Sequence, residues 1–73
     1  MKISYKKLFT LIVDRKMTNA QVRKKAKLST STFDKLKKDK LVALDVLIRI
    51  ATVLQCQIGD LVDIVEYPKL DES

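Results

Sequence analysis

The sequence predicts an all-α chain folded as a compact five-helix bundle, and three observations carry that prediction. Apolar residues recur at the three- and four-residue spacing of a helix face, not in the strict alternation of a strand. Hydroxyl residues suited to capping stand immediately before several of these patterns. Finally, 47% of the residues are apolar and 33% charged, enough to form a core and to solvate its outside.

The elements follow in order. Tyr5, Leu8, Phe9 and Ile12 fall at i, i+3, i+4 and i+7, which predicts a helix capped by Ser4, ending near Arg15, with Lys6 and Lys7 on its outer face. Thr18 with Gln21 three residues on is a capping-box pattern; Val22 and Ala26 then mark the inward side of a helix barely two turns long. Ser29 caps the next helix, which turns Phe33 and Leu36 inward and leaves Thr30, Ser31, Asp34, Lys35, Lys37 and Lys38 outward or flanking. Thr32 is expected to pack or to point sideways. A loop from Asp39 to Val42 leads to the core pillar, Leu44 to Gln55, with Leu47, Ile50, Ala51 and Leu54 at helical spacing. Ile58 to Val65 reads as a fifth short helix or as a helix running into an extended segment, and Pro68 ends it. The expected organisation is one domain over residues 1–67 and a frayed tail over 68–73, with no repeat, linker or low-complexity segment.

Composition excludes several functions. A chain of 73 residues is too small to form a core and enclose a substrate pocket as well, so binding is expected and catalysis is not. There is no histidine and one cysteine, Cys56, which removes disulfides, Cys/His zinc sites and Ser/His or Cys/His pairs. No cofactor, metal or small-molecule ligand is expected; Asp60, Asp63 and Glu66 lack partner ligands, and Cys56 reads as a small hydrophobe. The longest apolar run falls short of a bilayer span and the N-terminus lacks a signal-peptide pattern, so a cytoplasmic location and no membrane partner are expected.

Charge points to a polyanion. The net charge of +6 is unevenly spread: residues 1–13 carry three lysines and no acid, residues 14–40 ten lysines or arginines against three acids, and residues 41–73 two against six. A basic front gains affinity for nucleic acid through counterion release, and an acidic rear is repelled by phosphates. Phe33, Phe9 and Tyr5 sit on inward faces and no aromatic interleaves the basic run, which speaks against single-strand binding. Thr18 to Lys38, two short helices about a tight turn, suits the major groove of B-DNA, which admits one helix while another braces it.

TNAQVRKKAKLSTSTFDKLKK, followed by ALDVLIRIATVLQCQIGDLV, resembles the Cro and phage-repressor helix-turn-helix regulators, the xenobiotic-response-element family, over roughly residues 4–65. The resemblance implies a lambda-repressor-like DNA-binding domain whose third helix, starting after Ser29, enters the major groove, and a homodimer on a two-fold operator. It implies Thr30, Ser31 and Lys35 as base-reading residues, with Asn19, Arg23, Asp34, Lys38 and Lys40 flanking them or on the backbone. Lys24 and Lys27, like Arg23, either reach phosphates or only raise the local potential.

The chain departs from the family pattern in three places. Lys27 stands where the turn commonly has glycine in a left-handed conformation, Arg23 replaces the usual small residue, and Lys37 and Ile12 replace a helix-bridging ion pair. Ile64, Val65 and Tyr67 exceed what a core this small needs and are the candidate dimer surface. The expected function is a sequence-specific regulator of transcription, a repressor that occupies its operator. The competing reading is an antitoxin-like or anti-repressor module whose same helices bind a protein partner.

Overall fold

The computed structural model describes residues 1–71. In chain order it forms β1 (Lys2–Ser4), α1 (Lys6–Asp14), α2 (Asn19–Lys25), α3 (Thr30–Lys37), α4 (Leu44–Leu54), a 3-10 turn at Ile58–Asp60, and β2 (Asp63–Glu66). The periodicities translate directly into burial. Leu8 and Ile12 of α1, Val22 of α2, Phe33 and Leu36 of α3, and Leu47, Ile50, Ala51 and Leu54 of α4 form one core with Tyr5, Ala26, Leu28 and Leu61. Every buried residue in it is apolar or aromatic.

The helix starts are written locally. Thr18 Oγ1 accepts the Gln21 N–H at 3.1 Å while Gln21 Oε1 accepts the Thr18 N–H at 2.9 Å, a closed capping box at α2. Ser29 caps α3 by accepting the Thr32 N–H at 3.1 Å. At α1 the cap position is Tyr5 and not Ser4, although Ser4 Oγ still accepts the Lys6 N–H at 3.2 Å.

Two sequence expectations need correction. The described residues hold four α-helices, not five, and they are not all-α, because β1 and β2 pair as an antiparallel two-stranded sheet. The segment expected as a fifth short helix, or as a helix running into an extended segment, comes nearer the second: it makes a single 3-10 turn, fixed by the Gln57 N–H on Asp60 Oδ2 at 3.0 Å, drops Leu61 fully into the core and then extends. Beyond it the β-branched Ile64 and Val65 extend instead of coiling. A helix this short gains little on its own, whereas the extended chain finds backbone partners in β1. The register pairs Lys2 with Glu66, Ile3 with Ile64 and Ser4 with Asp63, leaving Val65 unopposed. Of the expected tail, residues 68–71 carry no regular structure and residues 72–73 lie outside the described residues.

Each α-helix also ends the same way. Lys16, Lys27, Asp39 and Gln55 have φ of 57°, 57°, 55° and 54°, left-handed values at non-glycine residues. After each, an N–H reaches five residues back: Met17 to Ile12 at 3.1 Å, Leu28 to Arg23 at 3.0 Å, Lys40 to Lys35 at 2.9 Å and Cys56 to Ala51 at 3.0 Å. These are Schellman-type stops built without glycine. The turn at Lys27 thus keeps the left-handed geometry, at a cost of roughly 1–2 kcal/mol.

Candidate nucleic-acid interface

The turn between α2 and α3 fixes how the basic helix is presented. Leu28, almost fully buried, anchors the turn in the core and leaves the outer side of α3 in solvent. On that side stand Thr30, Ser31, Asp34, Lys35, Lys37 and Lys38, all exposed. Among the described residues, Thr30 and Lys35 have no side-chain bond to the rest of the chain. Ser31 Oγ lies 3.2 Å from Ser29 Oγ, so part of its capacity is taken up locally. Thr32 is half-buried and its Oγ1 accepts from Ser29 Oγ at 2.9 Å, the sideways placement expected of it.

Arg23 does not simply point away from its neighbours. Half-buried, it donates from Nη1 to the Leu28 carbonyl at 3.3 Å, bridging α2 to the turn. Arg23 also lines a hollow of about 250 Å³ together with Asn19, Ala20, Thr30, Phe33, Asp34 and Lys37. This hollow brings together Asn19, Arg23, Thr30 and Asp34. Lys38 and Lys40 stand elsewhere, on an open cleft of about 610 Å³ at the other end of α3, which they share with Lys2 and Ser4. Sequence reasoning missed the Lys2 wall, because the three-residue strand that carries it leaves no periodic trace.

The absent ion pair between α1 and α3 has a replacement. Phe9 and Phe33 meet edge to face with centroids 6.0 Å apart and planes at 87°, and Lys37 Nζ lies 5.7 Å from the Phe33 centroid. The loop after α3 is likewise held from a distance: the Tyr5 hydroxyl donates to the Lys40 carbonyl at 2.9 Å, and the Tyr5 N–H donates to Asp39 Oδ1 at 3.0 Å. Burial, reinforced by the Asp39 carboxylate and partly offset by the Val42 backbone, pushes the Tyr5 phenol above its usual range.

The rear of the domain differs in kind. Arg15 Nε caps the Leu54 carbonyl at 3.2 Å, and Lys7 joins α1 to the sheet through Asp63 at 3.0 Å and the Gly59 carbonyl at 3.0 Å. Ile64, Val65 and Tyr67 are exposed by 52%, 63% and 74%, as are Leu41, Leu44 and Ile48 nearer α4, which sequence reasoning did not single out. Cys56 is half-buried, and burial first, then Asp60, push its thiol up against the opposing pull of Arg15. The described residues contain no group of three or more acidic, histidine or cysteine side chains able to hold a metal, and no helix long and apolar enough to cross a membrane.

Comparison with known proteins agrees with this geometry. A family model for the Cro/C1-type helix-turn-helix DNA-binding domain matches residues 7–66. Among solved structures, that of the transcriptional regulator VanUg, form II, superposes with a TM-score of 0.82 at 40% identity, over 85% of this chain and 83% of that one. No curated protein matches the sequence.

Proposed function

The chain belongs to the Cro/C1-type helix-turn-helix DNA-binding family, and we propose that it is a transcriptional regulator, a repressor, that reads duplex DNA by laying α3 in the major groove. The observation that carries this reading is the outer face of α3. Its exposed Thr30, Ser31 and Lys35 project from a helix whose other face is locked into the core by Phe33 and Leu36. Lys35 donates to guanine O6/N7 and the hydroxyls serve several base edges, each good contact discriminating by roughly 1–3 kcal/mol.

Asn19 and Arg23, on the near rim of the hollow, meet one phosphate strand; Lys38 and Lys40, beyond the far end of α3, meet the other. Asp34 flanks the reading positions as the lone acceptor-only group among them. It favours a base that offers a donor, such as the cytosine amino group. Repression follows from occupancy of the operator. A homodimer through Ile64, Val65 and Tyr67 sets two reading helices against a two-fold site, and the similarity to the regulator VanUg supports the regulatory role.

Electrophoretic titration of duplex DNA at two salt concentrations, after selection from a random pool, tests this reading. Steep salt dependence with one preferred sequence is expected. The same weak affinity for every duplex would refute it.

A further inference from the structure

The open cleft of about 610 Å³ beside the end of α3 brings together residues far apart in sequence. One wall is β1 with Lys2, Ile3 and Ser4, flanked by Met1 and by Val65 of β2, and the other is Lys38 to Leu41. Two bonds tie these walls, the Tyr5 N–H to Asp39 Oδ1 and the Tyr5 hydroxyl to the Lys40 carbonyl, and the Tyr5 ring is almost wholly buried between them. The backbone segments that carry the lysines on either side of the cleft are therefore tied to one another.

Lys2, Lys38 and Lys40 are among its lining residues, and among the described residues none of them forms an ion pair. The one acid in the lining, Asp39, has an oxygen committed to the Tyr5 N–H. Glu66 lies opposite Lys2 in the sheet register without bonding to it. The Ser4 hydroxyl, an acceptor toward the Lys6 N–H, keeps its own proton to donate. Donors outnumber acceptors, and the cleft is too open to enclose a small molecule.

We propose that this cleft is a phosphate-binding site for the sugar-phosphate backbone of the duplex beyond the bases that α3 reads, with Lys2 supplying a contact from β1. The proposal rests on the DNA-binding reading above and extends the footprint past the helix-turn-helix itself. Phosphodiesters fit because Lys38 and Lys40 line the cleft just beyond the end of α3, where a strand leaving the groove would meet them. A Lys2 contact adds one released counterion and steepens the salt dependence by about 0.9 in log–log slope.

The test uses the duplex selected from a random pool, in a long form with flanking base pairs and in a form trimmed to the read bases. Fluorescence anisotropy gives affinities for the wild-type chain, Lys2→Ala and Lys2→Glu, with thermal melts to verify that the variants are folded. The expected result is about a five- to tenfold loss for Lys2→Ala on the long duplex near 0.1 M salt, a larger loss for Lys2→Glu, and no change on the trimmed duplex. Equal losses on both duplexes, or none on the long one, would overturn the proposal while leaving the DNA-binding reading intact. Failure of the wild type to bind either duplex would overturn that reading itself. Inorganic pyrophosphate is titrated separately by NMR; saturable shifts at Lys2 and Lys40 without a length-dependent DNA effect would assign the cleft to free phosphate and overturn the backbone assignment.

Discussion

Replacing Lys27 by glycine should make this domain more stable. Lys27 sits at φ 57°, where a side chain crowds the backbone at a cost of roughly 1–2 kcal/mol that glycine does not incur. Glycine gives back roughly 0.5–1 kcal/mol through the greater freedom of the unfolded chain. At their midpoints the two terms leave a gain of about 0.75 kcal/mol, a rise in midpoint of about 3–6 °C for a domain of this size. Lys27 is exposed and its side chain has no bond to lose among the described residues, so no contact term offsets the backbone gain. Thermal and urea unfolding followed by circular dichroism measure it. The chain's one glycine, Gly59, gives an internal control, since its φ is not positive and an added Cβ would meet nothing within 4 Å. Gly59→Ala should therefore also stabilise, by about 0.4–1 kcal/mol. An unchanged or lowered midpoint for Lys27→Gly would refute the backbone reasoning, because it would mean that the turn is not held in the left-handed conformation in solution.

The remaining predictions concern the loop, the reading face and the rear. Tyr5→Phe removes the bond to the Lys40 carbonyl and should cost about 1 kcal/mol at neutral pH. The phenol's folded pKa lies above its ordinary 10.0, so the unfolded chain ionises first, and wild-type stability from this group is intact below pH 10 and falls above it. The gap between wild type and Tyr5→Phe should thus narrow as pH rises through that range, by at most about 1.4 kcal/mol per pH unit; a constant gap would contradict the burial of the hydroxyl. In a binding-site selection, Lys35→Ala should relax preference at one base position, whereas Lys40→Ala should weaken all sequences alike and flatten the salt slope by about 1. Uniform loss in both would show that the reading positions are misassigned. Tyr67→Glu, at the member of the candidate surface that lies outside the cleft, should shift a dimer to monomer in analytical ultracentrifugation without lowering the thermal midpoint of the monomer, and an unaltered dimer would move the interface elsewhere.

What the sequence made legible was local. The inward residues of all four α-helices follow from apolar spacing, and Thr18, Gln21 and Ser29 form the caps their identities predict. The outward side of α3 follows from the same periodicity, since placing Phe33 and Leu36 in the core leaves Thr30, Ser31 and Lys35 no other direction. What escaped depends on contacts across the chain. β1 is three residues long and exists because β2 arrives beside it, more than fifty residues later. Asp39 reads as a loop acid, yet it accepts the Tyr5 N–H from 34 residues away. Lys37 looks like a departure from an ion-pair pattern, and its place over Phe33 becomes visible only once Phe9 and Phe33 meet edge to face. Left-handed helix ends at Lys16, Asp39 and Gln55 give no signal at all, because their usual marker, glycine, is missing.

The two-stranded sheet has a bearing on the order in which the molecule is made. Pairing Lys2 with Glu66 closes nearly the whole described chain into one loop, the least local contact in the fold, while the helix-turn-helix is built from neighbours in sequence. Contacts of high sequence separation form late because their loop entropy must be met first. On a ribosome the reading helix can take shape well before Glu66 emerges, but the wall that carries Lys2 cannot. The nascent domain therefore acquires the exposed face of α3 before the cleft that β1 shares with Lys38 to Leu41, and on the proposed reading its base-reading face precedes part of its phosphate contacts.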